Sequence, residues 1–388
     1  MKKNKKLIIA LVIILFLVFF IFKNTFFDKM PLLSTTIEIT PDYQKNLSEL
    51  ALTIPQSNIS ETETLKLLES HYRDLLLALP SYTSLTIFTP ENNSLFLEHF
   101  FNTMKLPNKR HYIYSKNIDF ELWAQDYFEP ITKVDSLVKT DLLLLPLAKT
   151  KSKNFRRTTQ RNLSLLPYKE TLTAPFFFEG GNITAAKKDF LNYIFIDFET
   201  IQKTRTLYNE LGQNISKLKA KSIIKNFFPS SDVIFLGNKS RKENFIHLDQ
   251  SVLFLDNNVA IINLIADEPT SKASIQHLLY KKQLEKLGFT VKQLVISQKD
   301  IKTSKSYLNA IPFKDKLTGQ NKIIFPIYTE GLKRIDKKES PLSREDLQGN
   351  ALKAFDLFLS LGYKPFPVVD LANTKQGGSL HCITNVLN

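Results

Sequence analysis

The sequence predicts a mixed α/β fold. Three observations carry that expectation: β-rich runs and helical stretches alternate along the whole length, helix-capping residues bracket the longer stretches, and no Gly/Ser-rich or Pro-rich break divides the chain. With 388 residues, 43% of them hydrophobic, the chain can bury a full-sized core, so disorder is not the default expectation.

Lys2, Lys3, Lys5 and Lys6 precede an unbroken apolar run from Leu7 to Phe22, closed by Lys23. A basic region followed by an apolar one is the pattern of an export signal. At a helical rise of about 1.5 Å per residue the run is slightly short for a span, although Phe26 and Phe27 extend it. No small-x-small cleavage site follows. Residues 1–28 are therefore expected to form an uncleaved transmembrane signal-anchor helix, basic end in the cytoplasm, with the rest of the chain extracytoplasmic, periplasmic or at the cell surface. A cleaved signal peptide and a secreted protein form the alternative. Residues 29–45 read as a linker and 46–388 as one catalytic-sized domain.

Helices are expected over Ser60–Leu79, Ser271–Leu287 and Ser343–Leu361. Ser60 and Glu63 have the capping-box spacing, and Gly288 and Gly362 suit left-handed carboxy-terminal caps. Strands are expected at Leu85–Phe88, Tyr193–Phe198, Val233–Leu236, Val252–Leu255, Val259–Leu264, Val291–Ile296 and Lys322–Ile327. No internal sequence repeat is visible. The formal charge is +14, but its lysines and arginines are scattered through runs such as Lys149–Arg161, Lys217–Lys225 and Lys333–Lys338, which read as solvated faces. No nucleic-acid-binding motif accompanies them, so nucleic acid is not expected as a partner. A single cysteine excludes intrachain disulfides.

Four clusters could carry chemistry. Trp123-Ala124-Gln125-Asp126 holds the only tryptophan and sets a carboxylate beside Tyr127 and Phe128, where it needs a cation or buried donors; a surface acid beside a packed Trp is an equal reading. Phe176–Phe178 reads as an aromatic strand running into Glu179-Gly180-Gly181-Asn182. Its paired glycines allow close backbone approach, though alone they favour a plain turn. His247 and Asp249, if extended, share a face and form an acid/base pair, or else a structural pair. Gly377-Gly378-Ser379-Leu380-His381-Cys382-Ile383-Thr384 is a Gly-rich turn that presents a thiol beside polar groups, which suits a nucleophile. A buried inert cysteine is the bland alternative. A zinc site is disfavoured because the six histidines lack metal-type spacing, and a papain-like protease because its signature is absent.

Taken in order, Trp-x-Gln-Asp, Glu-Gly-Gly-Asn, His-x-Asp and Gly-Gly-x-x-His-Cys-x-Thr resemble the guanidine-modifying superfamily, which includes agmatine deiminases and peptidylarginine deiminases. The resemblance spans Leu122 to Val386. Gln125 and Thr384-Asn385-Val386 are similar to the animal protein-arginine deiminases, whereas Glu179–Asn182 and the modest length are similar to the compact bacterial forms. The resemblance implies a pentein-like, five-bladed α/β propeller of ββαβ units around a central site. It implies that Asp126 and Asp249 grip a guanidinium, that the Cys382 thiolate attacks its carbon, and that His247 serves as acid and then base, releasing ammonia and a ureido product such as citrulline. Trp123, Asn309 and Gly378 would line the pocket, with Ser379 beside them; Arg156 and Arg157 are candidates for a substrate carboxylate on charge alone. No metal or cofactor is implied. An outward-facing enzyme meets peptides, so peptidyl-arginine or another exported guanidino compound is the expected substrate. Agmatine deimination, amidino transfer to an amine, and a non-catalytic guanidino- or protein-binding role are the alternatives.

Overall fold

The computed structural model describes residues 35–54, 61–91, 94–115, 120, 122–135, 138–147, 170–238, 247–256, 258–333, 342–370 and 377–387. The expected signal anchor (1–28), Ser60, Arg156 and Arg157 lie outside them. No helix among the described residues is long and apolar enough to cross a membrane.

The described chain opens with β1 (Thr35–Glu38) and β2 (Glu49–Thr53), followed by α1 (Glu61–Ala78), β3 (Ser84–Pro90), α2 (Ser94–Met104) and β4 (Arg110–Ser115). β2, β3 and β4 pair in parallel, and the helices supply the crossovers that parallel pairing requires. A hairpin, β5 (Glu129–Asp135) and β6 (Val138–Leu145), takes β1 on one edge and β7 (Thr171–Thr173) on the other. Three copies of one unit then follow, each an antiparallel hairpin, a helical crossover and a parallel third strand. They are β8 (Ile183–Lys188), β9 (Leu191–Asp197), helices α3 (Glu199–Glu210) and α4 (Lys217–Phe227), and β10 (Asp232–Leu236); β11 (Val252–Leu255), β12 (Val259–Ile265), α5 (Lys272–Lys286) and β13 (Thr290–Ile296); and, after the short α6 (Gln298–Lys302), β14 (Ile311–Lys314), β15 (Asn321–Ile327), α7 (Gly349–Ser360) and β16 (Lys364–Val369). The last strand, β17 (Thr384–Val386), returns to pair antiparallel with β2.

The result is five separate sheets. Apolar side chains join them in sequence. One cluster spans the β8, β11 and β14 sheets, with Phe195 stacked on Phe254 at 4.4 Å between ring centroids. A second joins the β14 sheet to the β2 sheet, a third joins the β1 and β8 sheets, and a fourth joins the β2 and β5 strands' sheets. Side-chain packing therefore runs through all five sheets and returns to its start.

The strand expectations agree with the structure to within a residue or two; runs such as Val252–Leu255 are buried on both faces and read as continuous apolar segments. α5 starts at the Ser271 cap, whose hydroxyl accepts the Ser274 N–H at 3.2 Å, and ends before Gly288 at φ +81°. Three expectations need correction. The helix expected from Ser343 starts at Gly349, because Ser343 and Asp346 close a capping box on a separate 3-10 turn, Arg344–Asp346, and Gly349 has φ +56°. Phe176–Phe178 is not a strand; the buried rings of Phe176 and Phe178 fill the core between the β1 and β8 sheets. The expected linker is ordered from residue 35: Thr35–Glu38 is β1, and Asp42–Gln44 forms a 3-10 turn with Tyr43 buried.

Candidate active site

Every sheet contributes one segment that lies just before the first strand of its antiparallel pair. Ala124–Asp126 precedes β5, Gly180–Asn182 precedes β8, Leu248–Gln250 precedes β11, Asn309 precedes β14 and Cys382 precedes β17. Three of these are 3-10 turns, and they lock onto one another. The Gln125 N–H donates to the Cys382 carbonyl at 3.2 Å, and Leu248 N–H donates to the Asn182 side-chain oxygen at 3.2 Å. Glycine is needed at these junctions: a Cβ on Gly180 would collide with the Gln125 carbonyl, one on Gly181 would sit 2.8 Å from His247 Nδ1, and one on Gly378 would collide with the Trp123 ring.

His247 and Asp249 do not alternate along a strand as expected. His247 caps the Leu248–Gln250 turn, with its N–H donating to Gln250 Oε1 at 3.3 Å, and the turn brings both side chains inward by a different route. One ligand-type atom each from His247, Asp249 and Cys382 lies within 4.8 Å of the others, and all three residues are buried. These are also the residues that could hold a metal ion. Asp126, 1% exposed, adjoins this group, its Oδ1 3.4 Å from His247 Nδ1.

The second nitrogen of His247 lies 3.4 Å from Glu179 Oε2, and Lys203 Nζ reaches the same oxygen at 2.7 Å. Burial alone would strip the proton from His247, but the Asp126 and Glu179 carboxylates outweigh it and push the ring up to about 9. Burial disfavours the charged Glu179, yet His247 and Lys203 hold its carboxyl well below the usual range. For Cys382, burial and the Asp249 charge push the thiol well above its ordinary value. Its thiol donates to Asp249 Oδ2 at 3.5 Å, and the sulfur accepts from Asn309 Nδ2 at 3.1 Å. Asn309 Oδ1 also accepts the N–H groups of His381 and Cys382, at 3.0 and 3.2 Å. Asn309, expected to line a pocket, thus holds the thiol and its backbone.

Of the sequence-predicted residues, Asp126, His247, Asp249, Asn309 and Cys382 come together, and Trp123 and Gly378 pack on each other at the edge. Sequence reasoning missed Lys203, Asp42 and the pairing of His381. Lys203 lies on α3 with no motif around it, and Asp42 lay in the expected linker. His381 stood in the cysteine cluster, where its place beside the thiol was the available signal.

No family model matches the chain, and no curated protein matches it. Solved structures do. The agmatine deiminase of C. jejuni superposes with a TM-score of 0.62 at 18% identity, covering 91% of this chain and 96% of that one. It shares the fold of the guanidine-modifying enzymes. That fold is also seen in a peptidyl-arginine deiminase candidate, TM-score 0.59 at 15% identity over 90% of this chain and 97% of the other. The Enterococcus faecalis agmatine deiminase gives 0.58 at 14%, over 90% and 95%. In this fold the pre-strand segments described above meet one another at the site, through the Gln125–Cys382, Leu248–Asn182 and Asn309–Cys382 bonds.

Proposed function

We propose that the chain is a hydrolase that deiminates a guanidino group through a covalent adduct on Cys382. The convergence of the Cys382 sulfur, His247 and Asp249 within 4.8 Å, with Asp126 adjoining, carries the reading. A planar guanidinium between two carboxylates would be held bidentately, and its charge would offset the Asp249 field that keeps the thiol protonated. The thiol releases its proton to solvent as the cation binds, and the thiolate attacks the guanidino carbon. Protonated His247 gives its proton to the departing nitrogen, the C–N bond breaks, and ammonia leaves behind a positively charged S-alkylthiouronium. Neutral His247 next takes a proton from water, the hydroxide attacks the same carbon, and the C–S bond breaks to return the thiolate. The ureido product sheds one proton, which ammonia carries away as ammonium. A ring poised near 9 is protonated at neutral pH, as the first step needs.

Peptidyl-arginine or another exported guanidino compound is the substrate in this proposal, agmatine the rival. The basic and apolar residues 1–28 favour a signal anchor with residues 46–388 as one outward-facing catalytic domain. The continuous packing through the five sheets supports the propeller arrangement. The test is ureido-product formation by the full-length chain offered a peptidyl-arginine, agmatine and free arginine, beside Cys382→Ala. Turnover of one substrate, lost in the variant, is expected. Guanidino binding without turnover of any would sink the hydrolase.

A further inference from the structure

His381 adjoins the nucleophile in sequence, yet its ring has no part in the chemistry above. Its Nδ1 lies 2.8 Å from Asp249 Oδ2, and its Nε2 lies 3.3 Å from Asp42 Oδ2. A ring with a carboxylate at each nitrogen must carry both protons to donate to both. Its backbone is fixed as well, the N–H donating to Asn309. Behind it stands Lys45, whose Nζ is 2.7 Å from the other oxygen of Asp42. The charged and titratable groups facing His381 are therefore Asp42 and Lys45 from the amino-terminal turn, Asp249 from the Leu248–Gln250 turn, Glu129 from β5, and the Cys382 thiol beside it.

Asp249 has two differently placed oxygens. Oδ2 meets His381 and lies 3.5 Å from the Cys382 sulfur. Oδ1 is buried with no hydrogen-bond partner among the described residues. A buried carboxylate oxygen left without a donor is costly, and such an acceptor beside a nucleophile is one to which a ligand N–H would bring the missing bond.

We propose that His381, clamped between Asp42 and Asp249, is a positioning residue: it fixes Asp249 by Oδ2 and so leaves Oδ1 for an N–H of the guanidino substrate. This rests on the deiminase reading. The bond to His381 also draws on the Asp249 oxygen that lies 3.5 Å from the Cys382 sulfur. Asp42 keeps the ring charged, because the bonds to Asp249 and Asp42 outweigh a burial that would discharge it and push His381 up to about 10.

The test uses the full-length chain, its Asp42→Asn, Asp42→Glu and His381→Gln variants, the pH dependence of KM and kcat, and NMR titration of the imidazoles, with His381→Gln identifying the resonance. In the wild type, KM should stay flat until His381 loses its proton near 10. Asp42→Asn should move that rise down by about one pH unit or more, and Asp42→Glu should restore it. His381→Gln should raise KM about tenfold or more at every pH, with a smaller loss in kcat, as for outer partners of other site ligands. A merely structural defect would lower the active fraction without moving the pH at which KM rises. Superimposable KM curves for wild type and Asp42→Asn overturn the proposal. So does a wild-type His381 that titrates near its ordinary value of about 6.5. A wild type that neither binds nor converts any guanidino compound overturns the deiminase reading instead, and the titration then decides whether the clamp exists.

Discussion

With one amide, Asn309 donates to the Cys382 sulfur and accepts the N–H groups of Cys382 and His381. Replacing it by Ala should remove the donor that stabilises the thiolate and free the turn that carries it. A hydrogen bond to a charged group contributes about 1.5–3 kcal/mol, so kcat for the proposed deimination should fall by about tenfold to a hundredfold while the chain stays folded; steady-state kinetics beside a melting curve would check this. His247 gives a second expectation. It must be protonated when ammonia leaves, so the pH–rate profile should lose activity on the alkaline side around 9, and His247→Gln should abolish turnover at every pH. At this scale the chain was legible where chemistry-bearing residues cluster within a few positions, as at His247-Leu248-Asp249 and His381-Cys382. Asp42 was not, since an acid in a stretch that looks like a linker shows its partner only when the fold brings residue 381 to it.

The elements that build the site are short turns, and they tolerate little bulk. A Cβ at Gly180 meets the Gln125 carbonyl, which is backbone and cannot move aside without shifting the turn that carries Asp126. Gly180→Ala should cost about 1–3 kcal/mol in chemical denaturation, as overpacking does, and lower activity beyond what the stability loss explains. Asn385 on β17 donates to the Phe128 carbonyl at 2.7 Å and ties that strand to the loop before β5. Asn385→Ala leaves a buried carbonyl unpaired and should cost about 1–3 kcal/mol by the same measurement. Apolar strands and capped helices such as α5 were readable because burial and capping are local signals. The Leu248–Gln250 turn was misread as strand: two-residue alternation and a 3-10 turn can both follow the same three residues, and it is Asn182, from another sheet, that decides between them.

Over the whole molecule, buried Glu179 and Asp42, held below the usual carboxylate range, contribute stability that is lost only in acid, whereas from pH 4.5 upward the buried groups give stability a pH dependence of the opposite sign. His247 and His381 have folded values near 9 and 10, above the ordinary 6.5, so their contribution is complete below about pH 6.5 and is lost as pH rises through 9 and 10. Glu129, which burial pushes up to about 8, works in the same direction between its ordinary 4.5 and 8. The melting temperature should therefore fall as pH is raised from 6.5 to 10, and Glu129→Gln should flatten the neutral part of the curve. The recurrence of the three hairpin–crossover–strand units was hidden in the sequence because it is one of topology: each unit fills its strands with different apolar residues, and the β2 sheet is completed only by β17. That closure has a consequence for biosynthesis. β2 emerges early from the ribosome but finds its edge partner only when β17 has been made, and Cys382 arrives with that partner. A growing or truncated polypeptide thus carries an unpaired strand edge open to association with other chains, and it has no nucleophile to act on them. Synthesis of such a chain has to reach Cys382 before the site can exist, so the chemistry proposed for it is switched on by completion of synthesis itself.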